Sequence, residues 1–187
     1  MPPRFFVQVL LPFAIPALVT LALLVLVGGD WPRNIPPGSG LKLAGFVAAA
    51  VTSLLVWRFA TRRLADGRVQ KAAALLCGVT GLMGWPIWSV GVLPSVNGYS
   101  LGAPDTVRMV FERTEVTTVS RTSKLNHWAW LRPEVPGSRL QAGRYFIPED
   151  VYEDWTGRQP RTVGVTIAPG TLGAEVVTGY GVDLLVR

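Results

Sequence analysis

The sequence predicts a membrane protein with three transmembrane helices followed by a small all-β extracytoplasmic domain. Long uncharged apolar runs in the first half predict the helices, and short alternating runs in the second half predict the strands. Charge also separates the halves. Residues 1–98 carry eight basic and two acidic residues, whereas residues 99–187 carry ten of each. We therefore divide the chain into a transmembrane domain, 1–98, and an extracytoplasmic β-rich domain, 99–187.

The first predicted span is about 5–28. Of the 23 residues 5–27, 19 are apolar, and a helix needs about 20 such residues to cross a bilayer. Pro12 and Pro16 predict a kink, which membrane helices tolerate when neighbouring groups satisfy the freed carbonyls. A cleaved signal peptide is the alternative, but the apolar run exceeds the roughly 7–15 residues usual for one. We favour an uncleaved anchor.

The second and third predicted spans are about 41–60 and 72–94. The connection between them, residues 58–71, holds five basic residues, whereas residues 28–40 hold one basic and one acidic residue. Because short basic loops stay cytoplasmic, the N-terminus is predicted inside and the β-rich domain outside. The formal net charge of +6 thus serves membrane orientation, and we predict no nucleic-acid partner.

Small residues recur every four positions on the second and third spans, which lets helix backbones approach closely. Packing within the three-helix unit is favoured over a dimer interface. No ionisable residue lies at mid-membrane depth, which argues against a transporter or pump. The predicted helix-packing residues are Gly45, Ala49 and Ser53 on the second span and Ala73, Cys77 and Gly81 on the third.

The second half predicts five to seven short strands and one short helix, Pro148–Gly157. The helix is indicated by proline at its start, acidic residues just after, and glycine at its end. A strand series with one short helix resembles SH3-like or OB-like barrels in architecture, and a sandwich is the alternative. The predicted strands are Thr106–Arg113, Glu115–Arg121, Leu125–Arg132, Arg139–Ile147, Thr162–Ala168 and Ala174–Thr178.

Aromatic side chains give the strongest candidate binding surface. Alternation places Trp128 and Trp130 on the strand face opposite Leu125 and His127. Such a face would present exposed aromatic side chains to a protein, a glycan or a membrane surface, and ordinary packing of these rings is the favoured alternative. Tyr152 and Trp155 in the predicted helix are included in this candidate surface, as is His127 itself.

The acidic cluster of Glu149, Asp150, Glu153 and Asp154 is the strongest candidate for catalysis, but acids at a helix start also stabilise the helix dipole without any ligand. His127 is the only histidine, and no Gly-x-Ser-x-Gly elbow supplies a partner serine. The sequence has no phosphate-binding loop or dinucleotide fingerprint, and Cys77 is its only cysteine. We predict no catalytic residues, no metal and no cofactor.

Fifteen arginines against three lysines are typical of GC-rich bacterial genomes, so we expect a bacterial inner-membrane protein with a periplasmic domain. The expected function is non-catalytic: binding of a protein partner or larger membrane complex, as an accessory subunit, assembly factor or toxin-immunity protein. Two alternatives stay open. One is a membrane-anchored hydrolase or transferase that uses the acidic cluster, and the other is a subunit of an oligomeric pore.

Overall fold

A computed structural model describes residues 3–27, 34–62, 67–118 and 125–182. The chain divides into two compact units. A helical unit comprises Met1–Pro32 and Gly40–Val96, and a β unit comprises Arg33–Ser39 and Asn97–Arg187. A helical part and a separate all-β part are therefore confirmed. The β unit also takes up a short segment, 34–39, that the sequence places in a loop of the first half.

The helical unit contains α1 (Pro3–Val27), α2 (Leu41–Thr61) and α3 (Gly67–Pro86), which continues through a π-helical segment (Ile87–Val92) into α4 (Leu93–Asn97). Leu41–Thr61 and the continuous stretch Gly67–Asn97 are each long and apolar enough to cross a membrane. The third helical stretch is longer than the predicted 72–94. It begins at Gly67 and ends at Asn97, so it extends beyond the prediction at both ends. Within it the helix continues across Pro86, whose missing amide falls where the hydrogen-bonding pattern changes to π.

Glycines set the closest helix contacts in this unit. A side chain at Gly81 would collide with Ser53, and one at Gly45 would lie 2.6 Å from the Cα of Ser89 in the π-helical segment. A side chain at Gly91 would collide with Thr20 of α1. The three helices therefore approach at positions where only a hydrogen atom fits.

The β unit is one five-stranded antiparallel sheet, curled into a half-barrel, with strand order β3-β2-β1-β4-β5. A crossover through α5 carries the chain from one edge of the three-strand meander to the other side of β1. The elements are β1 (Asp105–Thr118), β2 (Leu125–Pro133), β3 (Gly143–Ile147), α5 (Glu149–Arg158), β4 (Thr162–Pro169) and β5 (Glu175–Val182).

Two strand predictions are corrected. The predicted Thr106–Arg113 and Glu115–Arg121 form one strand, β1, with a bulge between Phe111 and Arg113, although 119–121 lie outside the described residues. The bulge inserts one residue opposite β2 without ending the ladder, which explains why the alternation breaks there. The predicted Arg139–Ile147 is a strand only from Gly143, because the residues before it form a loop that buries Leu140.

The core lies on the concave side of the sheet, under α5. Trp155 of α5 sits at its centre and packs edge-to-face against Phe111 and Tyr180. From β1, Met109 lies on this face and is fully buried. The remaining buried members are Ala129, Leu131, Leu140, Tyr145, Ile147, Val163, Val165, Ile167 and Val177.

The two edge strands of the half-barrel, β3 and β5, are linked by side chains and a separate segment. The Tyr180 hydroxyl on β5 donates to the Phe146 carbonyl on β3, at 2.7 Å. Residues 34–39 reach both edges, since the Asn34 carbonyl accepts from the Val177 amide at 2.7 Å and Pro37 packs against Gly143. β3 and β5 are not paired with each other in the sheet, and this segment covers part of the seam between them.

The fully buried Asn97 holds the turn between β4 and β5 through hydrogen bonds. Its Nδ2 donates to the Ala174 carbonyl at 2.9 Å, and its Oδ1 accepts from the Leu172 and Ala174 amides at 3.1 and 3.3 Å. Its own carbonyl accepts from the Thr171 amide at 2.8 Å. One side chain thus replaces the hydrogen bonds that the turn backbone cannot make internally.

Candidate interaction surface

The convex face of β1–β3 carries a set of interleaved aromatic and charged side chains. Side chains alternate along each strand, so residues opposite the core positions share this face. We call it the Trp–Arg face, and it consists of Arg113, Glu115, Trp128, Trp130, Arg144 and Phe146. All are half-buried except Arg113, which is exposed.

Strand register brings these side chains together. Trp128 lies opposite Glu115 on one side and Phe146 on the other, and Trp130 lies between Arg113 and Arg144. Cross-strand neighbours are about 4.5–5.5 Å apart at Cβ, within reach of one another's functional groups. The bulge after Phe111 is what places Arg113 and Glu115, rather than Thr114, on the convex side.

Trp130 is held at its indole N–H and at the face of its ring. Its indole Nε1 donates to Glu115 Oε2 at 2.8 Å, and the Arg113 guanidinium lies 4.8 Å from the ring centroid. The arginine therefore covers the ring while the carboxylate fixes its edge. This arrangement holds the indole in one orientation on the convex face.

Trp128 has an equivalent set of contacts. Its Nε1 donates to Thr117 Oγ1 at 2.9 Å, Arg144 stacks 4.0 Å from its ring centroid, and Phe146 meets it edge-on at 5.4 Å. Arg144 also pairs with Glu115 through Nη1 at 3.5 Å. Glu115 therefore connects the two tryptophan–arginine pairs.

The arginines on and beside this face differ in whether they pair with a carboxylate. Arg144 pairs with Glu115, and Arg132 pairs with Glu112 at 3.5 Å. Arg113 stacks on Trp130 but has no carboxylate partner within the described ranges. Its guanidinium offers a planar fork of donors, which suits a carboxylate from another molecule.

The other predicted aromatic residues lie on the core side. Trp155 is only 1% exposed, so its ring presents no surface to a partner, which corrects its place in the candidate surface. His127 is buried, and its ring stacks on half-buried Tyr152 at 4.7 Å. The predicted set thus separates into two convex tryptophans and three residues on the opposite side of the sheet.

The acidic cluster lies along the first two turns of α5. Glu149, Asp150 and Glu153 are exposed, and Asp154 pairs with Arg158 one turn later at 2.7 Å. Acids in a first helical turn interact favourably with the helix dipole. Within the part of the chain that the structure describes, no three His, Cys, Asp or Glu side chains are grouped to hold a metal ion.

The predicted helix-packing residues lie between helices of the helical unit. Gly45, Ala49, Ala73, Cys77 and Gly81 are buried and Ser53 is half-buried. Gly45 faces the π-helical segment and Gly81 faces Ser53, as described above.

Burial perturbs two tyrosines of the β unit. It raises the pKa of Tyr145 and, more strongly, that of Tyr180 above the usual value, because the ionised form would lose solvation. Both hydroxyls donate to backbone carbonyls, Tyr145 to Gln141 and Tyr180 to Phe146. These groups remain neutral donors that hold structure together.

The chain matches no protein-family model, no curated protein and no solved structure. The Trp–Arg face is therefore interpreted from its own chemistry. Sequence reasoning found its tryptophans but missed Arg113, Glu115 and Arg144. Cross-strand pairing brings these residues to the tryptophans, and the β1 bulge determines that Arg113 and Glu115 face outward, so simple alternation could not have found these two.

Proposed function

We propose that this chain is a bacterial integral membrane protein whose helical unit spans the cytoplasmic membrane three times. Its β unit lies outside and binds an acidic surface of a protein partner. The role is that of an accessory subunit, assembly factor or toxin-immunity protein. The Trp–Arg face, with unpaired Arg113 stacked on Trp130, is the observation that carries the binding proposal.

Exposed apolar side chains support the membrane placement. Leu43, Leu75 and Met83 are each at least 70% exposed on helices long enough to cross a bilayer. A soluble protein rarely displays such extended apolar surface, because its contact with water is unfavourable. Alkaline carbonate extraction tests the placement, since a spanning chain stays in the membrane pellet and a released chain would contradict the proposal.

Orientation follows from the basic connection between the last two spans. We expect a cysteine introduced by Val135→Cys, in an exposed loop of the β unit, to react with a membrane-impermeant maleimide in intact bacteria. A cysteine introduced by Arg62→Cys should react only after permeabilisation. The opposite labelling pattern would reverse the proposed topology, and Cys77 is buried in both variants.

Tryptophan and arginine support the binding role because they contribute most often to interface hot spots. Stacking on the tryptophan holds the Arg113 guanidinium in place before a partner arrives, so less side-chain entropy is lost on binding. A carboxylate on the partner can accept hydrogen bonds from the guanidinium N–H groups of Arg113. The partner is therefore described by charge and class as an acidic protein surface.

The experiment is recovery of a stoichiometric partner in mild detergent, followed by affinity measurement with that purified partner. We expect Trp130→Ala and Arg113→Glu each to weaken binding about 30-fold, the effect of a hot spot near 2 kcal/mol. Arg158→Glu makes the same charge change on α5, on the other side of the sheet, and should leave affinity unchanged. Equal losses in Arg113→Glu and Arg158→Glu, or no loss in either, would refute the assigned surface.

A further inference from the structure

Two short uncharged segments of the β unit meet at the residue where the last helix ends. Asn97 ends α4, and its side chain bonds the turn between β4 and β5, as described above. The segment that follows Asn97 runs beside the same turn, since the Gly102 amide donates to the Pro169 carbonyl at 2.8 Å. Residues 98–104 and 169–174 contain no charged side chain. The β unit therefore has an uncharged surface at Asn97.

This surface exposes large apolar side chains. We call it the apolar rim, and its exposed members are Tyr99 (88%), Leu101 (42%) and Leu172 (48%). The charged residues that border it in sequence, Asp105 and Glu175, both pair with Arg139. Contact of neighbouring apolar side chains with water is unfavourable, so a grouped set of this kind indicates a contact surface.

We propose that the apolar rim lies in the lipid headgroup layer of the outer leaflet, so that the β unit binds the surface of the membrane that its own helices cross. This inference rests on the membrane placement and orientation proposed above. It is independent of the protein partner of the Trp–Arg face. Two observations carry it: the distance of the rim from the last helical residue, and the chemistry of its side chains.

Helix length places Asn97 in that layer. The predicted third span ends at about 94, and Asn97 lies three residues beyond it, about 4.5 Å further along the helix axis. The headgroup layer on each side of the hydrocarbon core is about 5–7 Å thick. Tyr99 follows Asn97 by two residues, a reach of at most about 7 Å, and the Leu172 amide donates to Asn97 Oδ1 at 3.1 Å. Both side chains therefore begin within a few ångströms of headgroup depth.

The chemistry of the rim fits a lipid surface better than a soluble protein. Tyrosine is enriched at membrane–water interfaces, where its ring contacts apolar groups and its hydroxyl stays hydrated. Leu101 and Leu172 add apolar area, and the lack of charge in both segments avoids the cost of desolvating an ionised group. A soluble partner would have to displace headgroups to reach side chains this close to the end of a span.

The contact is tested with the full chain reconstituted into vesicles of phosphatidylcholine and phosphatidylglycerol. A nitrobenzoxadiazole fluorophore is attached to a cysteine introduced by Leu172→Cys, while Cys77 is buried. Leu125→Cys is the matched control, because Leu125 is 46% exposed and pairs with Thr118 at the far end of β1, about 40 Å along the strand from Asp105. We expect a blue-shifted Leu172 probe that a lipid with a headgroup nitroxide quenches several-fold more strongly than the Leu125 probe. Equal quenching at the two positions would overturn the proposal.

Further measurements separate depth, occupant and placement. A probe attached through Tyr99→Cys should be quenched as the Leu172 probe is, and quenching at Tyr99 alone would overturn the contact made by the turn. Stronger quenching by a nitroxide near the end of the acyl chain than by the headgroup nitroxide would overturn the assigned depth. A blue shift without quenching by either lipid would overturn the lipid surface in favour of a second copy of the chain. Failure of the chain to float with the vesicles would instead refute the membrane placement itself, which keeps the two failures distinguishable.

Discussion

Replacing Asn97 by alanine should loosen the β4–β5 turn by a predictable amount. The substitution removes the Oδ1 acceptor used by the Leu172 and Ala174 amides, and the Nδ2 donor to the Ala174 carbonyl. These three bonds differ in what replaces them. Leu172 is exposed, so water can bind its amide, and the Ala174 carbonyl still accepts from the Gly170 amide at 2.9 Å.

The main cost in Asn97→Ala is therefore the Ala174 amide, which belongs to a buried residue and loses the Asn97 Oδ1 acceptor. Leaving such a group unsatisfied costs about 1–3 kcal/mol. A loss of about 2 kcal/mol corresponds to local opening about 30-fold more often. Amide exchange over 169–176 should accelerate by that factor when reclosing is faster than exchange.

Hydrogen-exchange mass spectrometry of the full chain in detergent measures this effect. Thr171→Val is the matched control, because it removes the Thr171 hydroxyl contacts with Ser100 at the same turn but on an exposed side chain. Such a surface change is worth about 0.5 kcal/mol or less. Unchanged exchange in Asn97→Ala, or equal acceleration in Thr171→Val, would show that the Asn97 side chain does not hold the turn.

Three further variants test the core, the seam and the helix contacts. Trp155→Ala should lower the free energy of unfolding of the β unit by about 3–5 kcal/mol, and Trp155→Phe by less, measured by denaturant titration in detergent; equal losses would contradict central packing of the indole. Tyr180→Phe should cost about 1 kcal/mol through loss of the bond to Phe146. Because burial raises the pKa of Tyr180, this phenol ionises more easily in the unfolded chain, where its pKa is about 10. The free energy of unfolding of the wild type is therefore unaffected by this group below that pH and falls as the pH rises above it. Tyr180→Phe should therefore show a shallower alkaline loss of stability, and identical slopes would refute the assignment. Gly81→Ala should weaken α2–α3 packing and lower the melting temperature, whereas Gly78→Ala, with open space at its Cβ, should keep or slightly raise it.

The sequence predicted what depends on local pattern. Apolar length identified α2 and α3, and alternation placed Trp128 and Trp130 on the face opposite His127. The β1 bulge could not be predicted this way, because it is defined by pairing with β2, which contributes a single residue opposite two. One inserted residue reverses the facing of every later position in β1, and so determines that Glu115 reaches Trp130.

The covered seam was missed for a related reason. Residues 34–39 contain proline and glycine, which is typical of a surface connection between helices. Their contacts join Asn34 to Val177 and Pro37 to Gly143, pairs separated by more than a hundred positions. No periodicity links such distant residues, so only the assembled half-barrel shows that residues 34–39 contact both of its edge strands.

The same dependence on register explains why binding energy should concentrate at Arg113. Arg144 is held by Trp128 and neutralised by Glu115, so a partner carboxylate must compete with an existing ion pair to reach it. Among the residues that the structure describes, Arg113 is held by Trp130, which orders the guanidinium without using its hydrogen-bond donors. Ordering lowers the entropy cost of binding, and unused donors provide the new bonds. A charge-preserving Arg113→Lys variant separates these contributions. Lysine keeps the charge but lacks the planar fork. It should recover only part of the affinity lost in Arg113→Glu, and full recovery would show that charge alone, without stacking geometry, determines binding.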